Sequence, residues 1–205
     1  FLPWTRLHGT KDYYGMARVI QSNPAFRMTV NFTPVLLEQL IHYGKDALDR
    51  ELELTLKPPT ALTLTERQFL LEKMFTGNPV SLIDPFPRYA ELFDQFSRGG
   101  EDAASRMTEM DISDLVVWRI LAWIYPEFRE KNQFIHELME RSSGFTMEEK
   151  AKLIEETRKL IAGIPDQYAD LAASGQIELT STPYYHPILP VLIDSEAARE
   201  SHPGV

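Results

Sequence analysis

The sequence predicts an α/β chain, and three observations carry that reading. Two short stretches far apart, Arg27 to Phe32 and Gln176 to Thr180, alternate apolar and polar residues as strands do. Between them apolar residues recur at helical spacing, with capping signals and prolines at the breaks. Both strands keep polar residues on one face, whereas a helix-covered strand of a parallel sheet is usually apolar on both. Polar groups near strand ends, Asn31 in one and Glu178 in the other, are expected where a sheet or barrel rim lines a site. A large helical insertion is expected between about Leu52 and Arg141, and no repeat, linker or low-complexity tract divides the chain.

Thr10 to Ile20 reads as a short helix that Asn23-Pro24 breaks. In the first strand Met28, Val30 and Phe32 point one way, and Arg27, Thr29 and Asn31 the other. Pro34 suits the first turn of a helix carrying Val35 to Tyr43. Thr65-Glu66-Arg67-Gln68 reads as a capping box before Phe69, Leu70, Met74 and Phe75, with Gly77 as the stop. Pro87 opens a helix that ends at Gly99-Gly100. Asp111 or Ser113 is expected to cap a helix from Leu115 to Trp123, apolar on nearly every side and therefore buried, which Pro126 ends. Thr146-Met147-Glu148-Glu149 is a second capping box, opening the longest helix, with a kink expected at Pro165. Gly175 is its expected terminator, and the second strand follows with Ile177 and Leu179 on one face.

Composition limits the function. With 43% apolar residues the chain can bury a substantial core. Lys and Arg number 21 against 30 Asp and Glu, and the net charge of −9 repels phosphate backbones and anionic lipid. Nucleic-acid and membrane partners are therefore not expected, while neutral ligands such as sugars fit. Cysteine is absent, which removes disulfides, Cys-ligated zinc, iron–sulfur clusters and thiol nucleophiles and fits a cytoplasmic setting. The longest apolar run, Leu115 to Tyr125, is broken by Arg119 and falls short of the roughly 20 residues that span a bilayer. The chain opens on Phe1 without an initiator Met and closes on Ser201-His202-Pro203-Gly204-Val205, so a piece of a longer protein is expected.

The sharpest chemical segment is Glu178 with Thr180, Ser181, Thr182, Tyr184, Tyr185 and His186, the histidine held between Pro183 and Pro187. Tyrosine faces stack on sugar rings while carboxylate and imidazole bond hydroxyls, so the set suits a polyol; a solvated strand end with a structural histidine is the plainer alternative. A second cluster, Trp4, Arg6, His8, Lys11, Asp12, Tyr13 and Tyr14, lines a cleft or else packs with its charges in water. Asn31-Phe32-Thr33 satisfies the glycosylation sequon but is expected to be inaccessible before Pro34. His42, His136 and His202 lack partners at metal-ligand spacing, and no phosphate loop or Gly-x-Ser-x-Gly elbow occurs.

The order Leu2-Pro3-Trp4-Thr5-Arg6-Leu7-His8, Lys11-Asp12-Tyr13, Thr29-Val30-Asn31-Phe32-Thr33-Pro34 and Leu36 to Leu40 resembles the amino-terminal part of glycoside hydrolase family 57. So do Pro87 to Leu92, Gly144-Phe145-Thr146, and Gly175-Gln176-Ile177-Glu178 running on to Pro190. The resemblance implies residues 1–205 as the amino-terminal strands of a partial (β/α)7 barrel, from a retaining α-glucan-active hydrolase or transglycosidase of the α-amylase, amylopullulanase or glucanotransferase kind. It implies substrate contacts at Glu178 and His186, then Asn31, then Trp4, Arg6 and His8, with no cofactor and no metal. The nucleophilic Glu and acid/base Asp belong to motifs expected beyond Val205, so no catalytic residue is placed in this chain, and the partners are an α-glucan and the rest of the barrel. Two other readings stand beside it: a metal-dependent deacetylase-like barrel with His186 as a ligand, and a non-catalytic helical carbohydrate-binding or interaction module. Two strands cannot close a barrel, so exposed apolar surface and association are expected. Glu178 is expected to share a cavity with Asn31, with His186 just above.

Overall fold

The computed structural model describes residues 3–201, 203 and 204; Phe1, Leu2, His202 and Val205, which figured in the motif and chain-end readings, lie outside them. The chain is mostly helical. Helix α1 (Trp4–His8) passes through a π-helical turn (Gly9–Tyr13) into α2 (Tyr14–Gln21), and β1 (Met28–Phe32) and α3 (Pro34–Lys45) follow. The body then runs through α4 (Arg50–Thr55), α5 (Leu64–Met74), α6 (Pro79–Leu82), α7 (Pro87–Gly99), α8 (Ala103–Arg106), α9 (Glu109–Ala122), α10 (Pro126–Lys131) and α11 (Gln133–Arg141). Helices α12 (Met147–Ala162) and α13 (Ile164–Ala173) lead to β2 (Ile177–Ser181), and α14 (Leu189–Ile193) and α15 (Ala198–Ser201) close the chain.

Among the described residues β1 and β2 form one parallel pair, Met28 opposite Ile177 through Phe32 opposite Ser181. Parallel strands cannot be joined by a hairpin, and here α3 to α13 together make the crossover. A closed barrel is not present in this pair. One face lies under helices: Val30 and Ile177 are buried, and Phe32 meets Tyr168 of α13 edge-on with centroids 4.9 Å apart. Leu179 departs from expectation, since it keeps 44% exposure although it shares that face with Ile177.

Helix α9 is the axis of the core. Every residue from Ile112 to Ala122 is buried, which includes Asp114 and Arg119. Its N-cap is Thr108, reciprocated by Asp111, rather than Asp111 or Ser113. Likewise Thr63, not Thr65, caps α5 with Glu66. In both cases the capping hydroxyl must reach the amide three residues on, and that acidic residue must reach back. Thr146 and Glu149 cap α12 as the sequence suggested. Pro165 does not kink one long helix but sits in the first turn of a separate one, because α12 ends at Gly163. Pro126 likewise opens α10 instead of ending α9. Gly44 lets α3 pass close to α12, where an added Cβ would meet Ala162 backbone at 2.9 Å. Gly175, at φ 72°, turns the chain from α13 into β2.

Candidate functional site

The open face of the strand pair is polar. Alternation and register put Thr29, Asn31, Glu178 and Thr180 on it together, and all four are exposed. Thr29 Oγ1 donates to Glu178 Oε2 at 3.4 Å, and Asn31 Nδ2 donates to Thr180 Oγ1 at 3.1 Å. Glu178 Oε1 and Asn31 Oδ1 have no protein partner among the described residues, so each can accept from a ligand hydroxyl. Asn31 is therefore accessible, contrary to the reading of its sequon as shielded. Glu178 stands second in its strand, not near the C-terminal end, because β2 continues past it to Ser181. A groove of about 350 Å³ at the start of the strands is lined by Arg27, Thr29, Gln176 and Glu178.

After β2 the chain folds back over the start of α3, where Val35 N–H donates to the Tyr184 carbonyl at 3.3 Å. That fold encloses a cleft of about 790 Å³ between Trp4, Glu38, Gln39, His42, Tyr43, Leu48, Tyr184 and Tyr185. The two tyrosine rings meet edge-on at 4.7 Å, and Trp4 and Tyr184 keep 40% and 41% exposure, so flat aromatic faces are offered to a ligand. His186 is exposed on a turn at φ 53°, its amide donating to the Pro183 carbonyl. No hydrogen bond or ring contact joins His186 to Asn31, Glu178 or the cleft among the described residues. The run from Ile188 to Ile193, after the second strand, exposes Ile188, Leu189, Val191, Leu192 and Ile193.

Arg6 is placed differently from every other candidate. It is 4% exposed, with Nε 2.8 Å from Asp49 Oδ2 and Nη2 3.3 Å from Glu51 Oε2. Arg119 reaches Glu51 from the other side at 3.5 Å and donates to the Thr76 carbonyl at 2.6 Å. Asp49 also caps α4 through the Leu52 amide and accepts from the Tyr43 hydroxyl, whose pKa burial pushes up to about 12. Burial raises the Glu51 carboxyl as well, against the pull of Arg119 and Arg6. Arg6 thus ties α1 to α4 and is almost wholly buried, unlike the other residues expected to contact substrate.

His8 remains accessible. Its Nδ1 lies 2.6 Å from Asp12 Oδ2, and its ring stands edge-on to Trp123 at 5.4 Å and 6.0 Å from Trp4. The structure therefore groups Trp4 and His8, and puts Asn31 and Glu178 on one strand face without the expected shared cavity, since Asn31 is not among the residues lining the groove at Glu178, while His186 joins neither pair. Sequence reasoning passed over Trp123, the floor under Trp4 and His8, because it arrives from a helix 115 residues further along. The four-residue spacing of His8 and Asp12 was the available signal for their pairing. Among the described residues no group of three or more His, Asp or Glu could hold a metal ion, and no helix is long and apolar enough to cross a membrane.

Comparison with known proteins gives one match. The family model described as Glycosyl hydrolase family 57 matches residues 1–201. No curated protein and no solved structure matches the chain.

Proposed function

The chain belongs to glycoside hydrolase family 57, and on that premise we propose that it supplies substrate contacts to a retaining α-glucan-active hydrolase or transglycosidase built on a (β/α)7 barrel. The observation that carries this reading is the two-sidedness of the strand pair. Its apolar face is under α13, while Thr29, Asn31, Glu178 and Thr180 look out from the other face. A barrel strand has that division, with helices outside and the other face turned inward, and its ligand contacts come from residues toward the C-terminal end, where Asn31 and Thr180 stand fourth of five.

In this reading Glu178 and Asn31 accept hydrogen bonds from sugar hydroxyls, and Trp4, Tyr184 and Tyr185 stack on the less polar sugar faces. Retention needs a nucleophile and an acid about 5–5.5 Å apart across the scissile bond. Neither role is given to a residue of this chain, because the resemblance assigns both to motifs other than those matched here; among the described residues Glu178 bonds one side chain, the Thr29 hydroxyl. Further barrel strands would pair with the open edges of β1 and β2 and cover Leu179 and the apolar run through Ile193.

The test is binding of maltoheptaose by calorimetry. Replacing Glu178 by Gln keeps the shape and removes the charge, so affinity falls by about 10- to 100-fold, the worth of one charge-assisted hydrogen bond. Asn31→Ala weakens binding by less. Affinity unchanged in both variants would overturn the assignment.

A further inference from the structure

Three histidines sit four residues from a carboxylate on a helical turn, and one of the three pairs is unlike the others. His42 is 3.9 Å from Glu38 and His136 is 3.4 Å from Glu140, both exposed and, among the described residues, without ring neighbours. His8 is 2.6 Å from Asp12, and its ring packs edge-on against Trp123, which is itself buried. Behind Trp123 the Arg119 guanidinium lies 5.4 Å from the ring, so the floor of this group is anchored in the core.

The backbone here is also irregular. His8 and Asp12 straddle the entry to the π-helical turn, a form found mostly as single turns and often at functional sites. The cause is visible: the Thr10 carbonyl accepts from the Tyr125 amide at 3.0 Å, and its hydroxyl donates to the Trp123 carbonyl at 2.7 Å. The turn is thus locked to the end of α9, which carries the aromatic floor. Lys11 Nζ lies 3.1 Å from Asp12 Oδ1, so both carboxylate oxygens are engaged.

We propose that Asp12 is a positioning residue that holds His8 as a hydrogen-bonding group for a sugar hydroxyl beside the Trp4 ring, an inference that rests on the α-glucan reading above. A carboxylate accepts only, so Nδ1 carries the proton, and in the neutral ring Nε2 is left as the acceptor. Nε2 has no partner among the described residues, and the His8 side chain is 42% exposed. Trp4, 6.0 Å away, also lines the large cleft, so the hydroxyl bound at His8 belongs to a sugar that stacks on Trp4.

The test pairs a spectrum with an affinity. Long-range nitrogen–proton NMR of the imidazoles, with His8 assigned by its loss in His8→Gln, reports which ring nitrogen carries the proton. Asp12→Asn keeps the shape but can donate as well as accept, so the His8 signals shift toward a mixture of tautomers. Maltoheptaose affinity falls by about tenfold, while the melting temperature stays within about 2 °C as for other exposed sites. His8 signals or affinity unchanged in Asp12→Asn would overturn the assignment, and so would a loss of folding in place of these effects. A wild-type chain with no affinity for maltoheptaose would overturn the α-glucan reading and this one with it. Affinity in the wild type that Asp12→Asn leaves intact would overturn this one alone.

Discussion

Charge is handled in opposite ways in the helical body and on the strand pair. In the body, Arg6, Asp49, Glu51 and Arg119 are all buried and satisfy one another across three segments that are distant in sequence. On the strands, Glu178 and Asn31 are exposed, and each bonds a single hydroxyl side chain. A buried charge is tolerable only when it is paired and hydrogen-bonded, so the body's charges are fixed in place by their own partners. An exposed carboxylate with a free oxygen has no such obligation and can bond a ligand. Polar residues alone therefore do not mark a site; unfilled bonding capacity next to a cavity does.

The largest predicted effect lies in the buried network. Arg6→Met leaves Asp49 without its cation inside the protein and should cost about 3–5 kcal/mol of unfolding free energy, read from urea denaturation. A loss under about 1 kcal/mol would mean the network is not structural. Gly44→Ala should come next, at about 1–3 kcal/mol, because the new methyl meets Ala162 backbone that cannot give way as a flexible side chain would.

Lys150 offers a pH-dependent sharpening of the same contrast. It is 1% exposed, and burial pulls its pKa from 10.5 down to about 8, with Asp114 opposing. Asp114 is itself bound by Arg88 and the Gly144 amide. Below about pH 8 the ammonium is charged in folded and unfolded chains alike, and the cost of burying it is fully present. Between about pH 8 and 10.5 the unfolded chain holds a proton that the folded one has shed, so stability rises with pH. The wild type should therefore gain melting temperature relative to Lys150→Met across that window, and a flat difference would contradict the burial cost. The smallest effect is expected on the strands, where Glu178→Gln and Asn31→Ala should each change stability by no more than about 0.5 kcal/mol, as exposed positions do.

Much of the fold was legible in local pattern. The alternation of Met28, Val30 and Phe32 located β1 to within a residue, and the even burial of α9 followed from its apolar surface. The Thr146 capping box was found in place, whereas the caps of α5 and α9 proved to be Thr63 and Thr108 instead of Thr65 and of Asp111 or Ser113, because several hydroxyl and acidic residues there compete for one geometry. The site was less legible. Arg6 and His8 look alike in sequence, yet only Arg6 has buried carboxylates waiting 43 and 45 residues away. Tyr184 and Tyr185 line one cleft with Trp4 only because the chain folds back onto α3, which no local pattern specifies. The wider family signal came from motif order, not from periodicity, and the match over residues 1–201 agrees with it.

The contrast between sealed and open charge is tested most directly by amide chemical-shift mapping during a maltoheptaose titration. The account predicts saturable shifts at residues 29–31 and 178–180, extending to Trp4 and Tyr184, with residues 49–51 and 119 unmoved. Shifts confined to the buried network, or to a separate groove of about 660 Å³ lined by Arg88, Asp111 and Ser142, would contradict it.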